Sequence, residues 1–274
     1  MAEPNPDNWG RVQRGRYVIP DPATGAERKW TRATTLAETL DDSFGLTKWK
    51  TRAVAFGIGQ RQDLFDLAAA SDMEEDKRQL DRLCADAMKA AKADARANEG
   101  TAFHKFTQRR DMGVAVRQPK KWDEMLALYD KALAGWGIKV APTMCERLTV
   151  IPELNVAGTL DKLVKFENTP TITDLKTGGN EEDGLVFGSM KMAIQLGLYS
   201  RGKVLWNFGA HKWDTTPTGV DQNRGLVIHM PVGGKIARLY EVDIALGWEL
   251  ANLAYKVREA RKGKYLTEVA QVSL

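Results

Sequence analysis

One stretch decides the fold of this chain: Thr171-Ile172-Thr173-Asp174-Leu175-Lys176-Thr177-Gly178. Its threonine, isoleucine and leucine content is typical of a short strand. Side chains alternate between the two faces of a strand, so Asp174 and Lys176 point to the same side. An isolated acid and lysine at this spacing are far more often an ordinary charge pair on an exposed strand, so the pair must be weighed with its surroundings.

The preceding predicted strand supplies a second carboxylate, in Gly158-Thr159-Leu160-Asp161. Neighbouring strands can bring Asp161 and Asp174 within reach of each other. Two carboxylates that converge at low dielectric repel strongly unless a cation lies between them. The pair therefore predicts a divalent-cation site, whereas Asp161 without a partner would be an ordinary turn or strand-edge residue.

Two helical motifs flank these strands. Gly100-Thr101-Ala102-Phe103-His104 is predicted to begin a helix, with Thr101 as its N-cap. A neutral His104 imidazole there would complete a carboxylate-rich metal site or orient a metal-bound water. Gln195 and Tyr199 are one helical turn apart and share a helix face. Both have plain alternatives. A lone helical histidine is more often a surface or core residue, and packing against a sheet is an equally good explanation of the helix face that carries Gln195.

The rest of the sequence predicts an α/β (α+β mixed) fold. Residues 1–30 are dense in proline and glycine, which favours an N-terminal arm with at most a short hairpin. Residues 31–98 predict a helical region that packs on the core, and its last helix should run from about 74 to 98. The later predicted elements are helix 121–134, strands 145–150, 154–166 and 171–177, helix 186–199, strand 203–213, a hairpin of 225–230 with 236–242, and helix 244–262. This order predicts a central mixed β-sheet flanked by helices.

Composition narrows the classes of site. The chain has 274 residues, 43% of them apolar and 28% charged, which is typical of a globular protein with a sizeable core. Two cysteines, Cys84 and Cys145, are too few for a disulfide framework, a four-cysteine zinc site or an all-cysteine iron-sulfur cluster. With three histidines, a metal site must rely mainly on carboxylates, which suit Mg²⁺ and Mn²⁺.

Charge and hydropathy bear on partners and location. The net charge of +4 is compatible with nucleic acid without arguing for it. The first residues lack an apolar leader, and no stretch approaches the roughly 20 apolar residues that span a bilayer. We therefore expect a cytoplasmic protein without a membrane partner.

The four motifs occur in the order G-T-x-x-H, G-T-L-D, D-L-K-T-G and Q-L-G-L-Y. In this order they resemble the PD-(D/E)XK nuclease superfamily, in particular its RecB-type exonuclease branch, which includes phage recombination exonucleases. The resemblance covers roughly residues 100–200 and implies a restriction-endonuclease-like core over residues 99–274. The chain departs from the name-giving motif because Leu160, not proline, precedes Asp161; many relatives lack that proline.

The resemblance implies a role for each motif residue. His104, Asp161 and Asp174 are expected to bind Mg²⁺ or Mn²⁺, with the backbone carbonyl of Leu175 as a further ligand. Asp161, Asp174 and Lys176 are the expected catalytic residues. Gln195 and Tyr199 match the helix motif that supports the site and contacts the DNA strand. Relatives with an iron-sulfur cluster use four cysteines, so no cluster is expected here.

Basic residues after His104 suggest where DNA binds. Residues 105–121 have a local net charge of +5 and contain Lys105, Arg109, Arg110, Arg117, Lys120 and Lys121. An ordinary solvated helix face is an equally good explanation of such a run. The sequence thus predicts a metal-dependent exonuclease acting on linear DNA ends in recombination, repair or phage DNA processing, alongside a recombination or helicase partner. The alternatives are a structure-specific endonuclease, an inactive DNA-binding module on the same fold, and an unrelated α+β scaffold.

Overall fold

The computed structural model describes residues 11–13, 15–93, 95–115, 117–179, 181, 185, 188–269 and 271. Within them, ten strands form one mixed sheet: β1 (Arg11–Gln13), β2 (Arg16–Pro20), β3 (Glu27–Arg32), β4 (Lys139–Ile151), β5 (Val156–Phe166), β6 (Thr169–Lys176), β7 (Val204–Asn207), β8 (Lys212–Thr215), β9 (Arg224–His229) and β10 (Arg238–Asp243). The α-helices are α1 (Ala33–Ala37), α2 (Phe44–Gly59), α3 (Gln62–Ala70), α4 (Lys77–Ala90), α5 (Ala95–Asp111), α6 (Asp123–Gly135), α7 (Ser189–Ser200) and α8 (Ile244–Ala260). The predicted mixed α/β fold with a central mixed sheet is confirmed. In the described part of the chain, no helix is long and apolar enough to cross a membrane.

Strand β5 organises the sheet. β4 runs antiparallel along one edge of it. On its other edge β5 has two successive neighbours, because β3 pairs with Val156 and Ala157 in parallel, and β6 pairs antiparallel from Lys162 onward. β6 then runs past the end of this pairing and lies parallel to β9. The sheet therefore forks beside β5, and Asp161 and Asp174 are the first residues beyond the last β5–β6 pair.

Helices cover both faces of the sheet. On one face, α1, α7 and α8 enclose a core that contains Leu163 and Ile172. On the other, α5 and α6 enclose a core in which Phe103 is packed with Leu175 and Ile228. Ile172 and Leu175 thus face opposite layers, as the period of a strand requires. Burial on both sides fixes the register of β6, and with it the direction in which Asp174 points.

The first 30 residues differ from the predicted arm. β1, β2 and β3 form an antiparallel meander that extends the sheet beyond β5, while residues 1–10 lie outside the described chain. Ile19 and Trp30 are buried, and the Trp30 Nε1–H donates to the carbonyl of Ile19 at 3.1 Å. Two of the prolines and glycines that favoured an arm lie at the turn between β2 and β3. Pro20 ends β2, and Gly25 adopts φ 70° just before β3.

The predicted helix 74–98 is also wrong in its bounds. α4 ends at Ala90, Lys92 adopts a left-handed φ of 53°, and α5 begins at Ala95. Gly100 and Thr101 therefore lie inside α5, and Thr101 is not an N-cap. α2 and α3 pack with α4 around a separate small core of Leu64, Leu83 and Ala87.

The predicted strand 203–213 is instead the β7–β8 hairpin. The Asn207 side-chain oxygen accepts hydrogen bonds from the backbone N–H of Gly209 and Ala210 at 3.1 and 3.0 Å. An asparagine that bonds the backbone two residues on favours a turn over a continuous strand. The turn places Phe208 at the tip of the hairpin, where it is exposed.

Candidate active site

The two predicted carboxylates meet at the fork. Where the β5–β6 ladder ends, the Asp161 Oδ2 accepts a hydrogen bond from the backbone N–H of Leu175 at 3.0 Å. Asp174 is buried, and its burial together with the charge of Asp161 raises its pKa to about 7. Asp161 is half-buried. Two carboxylates this close repel each other unless one is protonated or a cation lies between them.

Lys176 lies on the same face of β6 as Asp174, as the strand period predicts. Its Nζ is 2.6 Å from the Asp174 Oδ2. Burial opposes the charged form of Lys176, but the carboxylates of Asp174 and Asp161 outweigh it, so the pKa is raised. Lys176 is therefore an ammonium ion at neutral pH.

His104 comes to the fork from α5. Its Nδ1 is 3.8 Å from the Asp161 Oδ2, and burial lowers its pKa, which favours the neutral imidazole that binds metals. Gly100, one turn earlier, makes this approach possible: a Cβ there would lie 2.4 Å from the Thr177 Oγ1. The motif glycine thus lets α5 rest directly on the end of β6.

Glu146 is a third carboxylate at the fork, and sequence reasoning missed it. It lies on β4 just after a register shift between Val140 and Cys145, and adopts φ 51°. Burial, followed by the charges of Asp161 and Asp174, raises the pKa of Glu146 to about 7. The only sequence signal is a single acid between Cys145 and Arg147 in a predicted strand, which does not distinguish it from a surface residue.

Gln195 and Tyr199 of α7 support the fork from the opposite layer. The Gln195 Nε2 donates to the Tyr199 hydroxyl at 2.9 Å, and the Tyr199 ring is buried. The ring lies against Gly158, where a Cβ would be 2.5 Å from the Tyr199 Cε1. Burial raises the pKa of Tyr199, so its hydroxyl stays protonated. Tyr199 holds the strand that carries Asp161, and Gln195 is half-buried beside it.

Two further groups hold the site and were also missed. His229 of β9 is buried opposite Lys176 in register, and its Nε2 is 2.8 Å from the carbonyl of Gly178, which ties down the loop after Lys176. On the α5–α6 side, the buried ammonium of Lys162 contacts the Asp111 carboxylate and lies 2.5 Å from the Tyr129 hydroxyl. This cluster fixes both helices to the residue next to Asp161.

The predicted DNA-binding cations of α5 differ in their engagement. Lys105 and Arg109 are exposed and one helical turn apart, and neither forms an ion pair with another described residue. Arg110 is exposed as well, but its guanidinium forms a bidentate ion pair with the Asp130 carboxylate, in which the Arg110 Nε is 2.7 Å from the Asp130 Oδ1. Of these three predicted cations, Lys105 and Arg109 are therefore the two free to meet an anion.

The donor atoms near the fork are mainly carboxylate oxygens. The buried Asp174 Oδ2 is ion-paired with the Lys176 Nζ at 2.6 Å. Within the described chain, no group of three or more His, Cys, Asp or Glu side chains is arranged so that it could hold a metal ion without rearrangement. The donors that converge are the carboxylates of Asp161 and Asp174, with Glu146 and His104 beside them, and oxygen-rich sets of this kind suit Mg²⁺ and Mn²⁺.

No family model matches the chain, and no curated protein is similar to it. Among solved structures, one titled "Crystal structure of SSO0001" aligns with 48% of this chain at 14% identity and a TM-score of 0.27. The chain matches 56% of the length of that protein. The function of the chain is therefore inferred from the residues at the fork.

Proposed function

We propose that this chain is a Mg²⁺- or Mn²⁺-dependent deoxyribonuclease of the PD-(D/E)XK type that digests linear DNA from its ends. The observation that carries the proposal is the convergence of Asp161, Asp174 and Lys176 where β5 and β6 part. A buried acid, a half-buried acid and a charged lysine stabilise the folded chain poorly by themselves, since desolvation opposes ionisation. The same three side chains are well suited to binding a metal ion and the phosphodiester that the ion activates.

Each side chain has a distinct task in hydrolysis. Asp161 and Asp174 would hold the metal, with His104 and Glu146 completing or orienting its shell. The bound ion supplies a more acidic water and neutralises charge on the phosphate. Lys176, charged because the carboxylates favour its ammonium form, is positioned to orient the attacking water and to stabilise negative charge that develops on the phosphate oxygens.

DNA would approach along α5. Lys105 follows His104 directly and Arg109 lies one turn further, so a strand with its phosphate at the fork meets both cations. Contacts of this kind position the backbone without reading sequence. We place the activity in recombination, repair or phage DNA processing, and expect a recombination or helicase protein as partner.

The test is a cleavage assay on end-labelled linear DNA and on closed circles, single- and double-stranded, with Mg²⁺, Mn²⁺ or EDTA. We expect metal-dependent loss of linear DNA only, and its abolition in Lys176→Ala and Lys176→Gln. Lys77→Ala, which removes an exposed lysine of α4, is the matched control and should cleave normally.

Each of the other results points to a different activity or contradicts the proposed site. Cutting of closed circles indicates an endonuclease. DNA binding without cleavage under any metal indicates an inactive binding module. Cleavage that survives both Lys176 variants, provided that they fold, contradicts the site.

A further inference from the structure

A groove of about 600 Å³ opens beside the fork. Its walls come from α5, β4, β5 and the β7–β8 hairpin, and the lining residues are Gln108, Met112, Pro142, Thr143, Cys145, Glu146, Arg147, Thr159, Trp206, Asn207 and Phe208. This volume is within the usual range for small-molecule sites. We refer to these residues as the β4 groove.

The β4 groove is continuous with the fork. Glu146 belongs to both, because it lines the groove and lies across from Asp161 in the β4–β5 register, between the pairs Cys145–Lys162 and Arg147–Leu160. Thr159 is two residues before Asp161, so both point to the same face of β5. Gln108 is one turn after His104 on α5 and shares its face. A molecule that is bound at the fork can therefore extend into the groove.

The charges of the groove select against an anion. Glu146 and Arg147 are its charged lining residues. Arg147 is already engaged, because its Nη2 is 2.8 Å from an Asp214 oxygen and its other nitrogens donate to backbone carbonyls. A phosphate in the groove would meet a carboxylic acid and no available cation. The groove suits a neutral group, while the ammonium of Lys176 at the fork suits the phosphate.

The chemistry of the walls favours a flat ring with polar edges. Phe208 at the hairpin tip is 47% exposed and Met112, in the turn after α5, is 40% exposed, so two apolar surfaces flank the opening. The Gln108 amide lines the groove and forms no side-chain hydrogen bond with another described residue. An amide presents both donors and an acceptor, which match the edge of a nucleobase. Aromatic side chains stack on any base because every base has a π-face.

We propose that the β4 groove binds the nucleobase next to the phosphate at the fork, with Phe208 stacked on its face and Gln108 at its edge. The proposal rests on the proposed function, since it takes the nucleotide from the same strand. Because a duplex base is paired and stacked, the groove would accept it only after the strand end has opened. The same base chemistry occurs in a free nucleoside monophosphate, the product of exonuclease digestion.

The experiment uses the fluorescence of 2-aminopurine in EDTA, where no cleavage occurs. One set of oligonucleotides carries the probe at the terminal position, another carries it in the middle, and a separate titration uses the free 2-aminopurine nucleoside monophosphate. Variants are Phe208→Ala, Phe208→Tyr and Gln108→Ala, with Phe65→Ala, an exposed aromatic of α3, as the matched control. Phe208 is exposed, so we expect its variants to fold, and a melting curve checks this.

We expect binding to change the signal of the terminal probe and leave that of the internal probe nearly constant. Phe208→Ala should weaken binding of the terminal probe about tenfold, as loss of one stacking partner implies, while Phe208→Tyr and Phe65→Ala bind normally. A signal from the free nucleotide that Phe208→Ala removes identifies a product site in the same groove.

Three outcomes separate the two proposals. In the first outcome, DNA binds and is cleaved in Mn²⁺, but the terminal 2-aminopurine probe gives no fluorescence change, or Phe208→Ala binds it as tightly as wild type. This outcome overturns the proposed base site in the β4 groove and leaves the proposed nuclease activity intact. A nucleotide signal that depends on Phe208, without any DNA cleavage, overturns the nuclease and keeps the groove as a nucleotide site. Absence of a signal from both probes overturns the groove outright.

Discussion

Replacing Asp174 by asparagine should stabilise the metal-free protein, although it destroys the proposed site. The pKa of Asp174 is raised from 3.8 to about 7 by burial and by Asp161. An acid with a raised folded-state pKa binds its proton more tightly in the folded chain, so stability falls as pH rises from about 4 to 7 and stays low above. The shift of about 3 units corresponds to about 4 kcal/mol at pH 8. Asparagine resembles the protonated acid and removes this cost.

The assay is urea denaturation in EDTA at pH 5 and pH 8. The free energy of unfolding of the wild-type protein should fall by most of the roughly 4 kcal/mol between pH 5 and pH 8, whereas that of Asp174→Asn should change little. Asp81→Asn, at an exposed position of α4, is the control and should follow the wild type. Added Mn²⁺ should stabilise the wild type at pH 8 and leave Asp174→Asn unchanged. If Asp174→Asn is less stable than wild type at pH 8 in EDTA, the Asp174–Lys176 ion pair outweighs desolvation and the reasoning fails.

Three further predictions concern residues around the fork. Because the pKa of Glu146 is about 7, Glu146→Gln should slow cleavage strongly at pH 8 and much less at pH 6, where the wild-type side chain is protonated; an equal effect at both pH values in rate measurements would contradict this. Lys162→Met leaves the Asp111 carboxylate buried without its cation and should cost about 3–5 kcal/mol in urea denaturation, most of it recovered by adding Asp111→Leu; an unchanged single variant would show that the cluster holds nothing. Gly158→Ala pushes a Cβ into the Tyr199 ring and should cost about 1–3 kcal/mol, whereas Gly45→Ala, where the Cβ meets open space, is the control for the same melting experiment.

The sequence predicts the part of the molecule in which local pattern and topology agree. β6 is buried on both faces, so its residues must alternate, and Asp174 with Lys176 follows from that rule. β1 to β3 were missed because they are short and rich in polar residues, and are held by β5, more than 120 residues away in sequence, at Thr31 and Val156. No local pattern specifies such a pairing.

The candidate site is predictable only where it coincides with a motif. Glu146 reaches the fork because β4 shifts register just before it and because Glu146 itself adopts a left-handed φ. Neither feature has a residue preference strong enough to be recognised in one sequence. Lys162 looks like an exposed strand residue until Asp111 and Tyr129 are placed around it. Charged residues are almost never buried unless paired, so their burial is known only when the partner is known.

The two motif glycines explain how four separate segments form one site. Gly100 of the first motif lies against Thr177 of the third, and Gly158 of the second lies against Tyr199 of the fourth. A side chain at either position would separate the two segments by the width of a methyl group. The glycines therefore belong to the motifs for a packing reason, although neither has polar side-chain chemistry. Since α5 is seated on β6 and α7 on β5, His104 and Asp161 are held at the fork by packing contacts outside it. At the fork itself, Asp161 accepts a hydrogen bond from the Leu175 N–H, and Asp174 is ion-paired with Lys176. A bound metal would therefore share both carboxylates with these two donors.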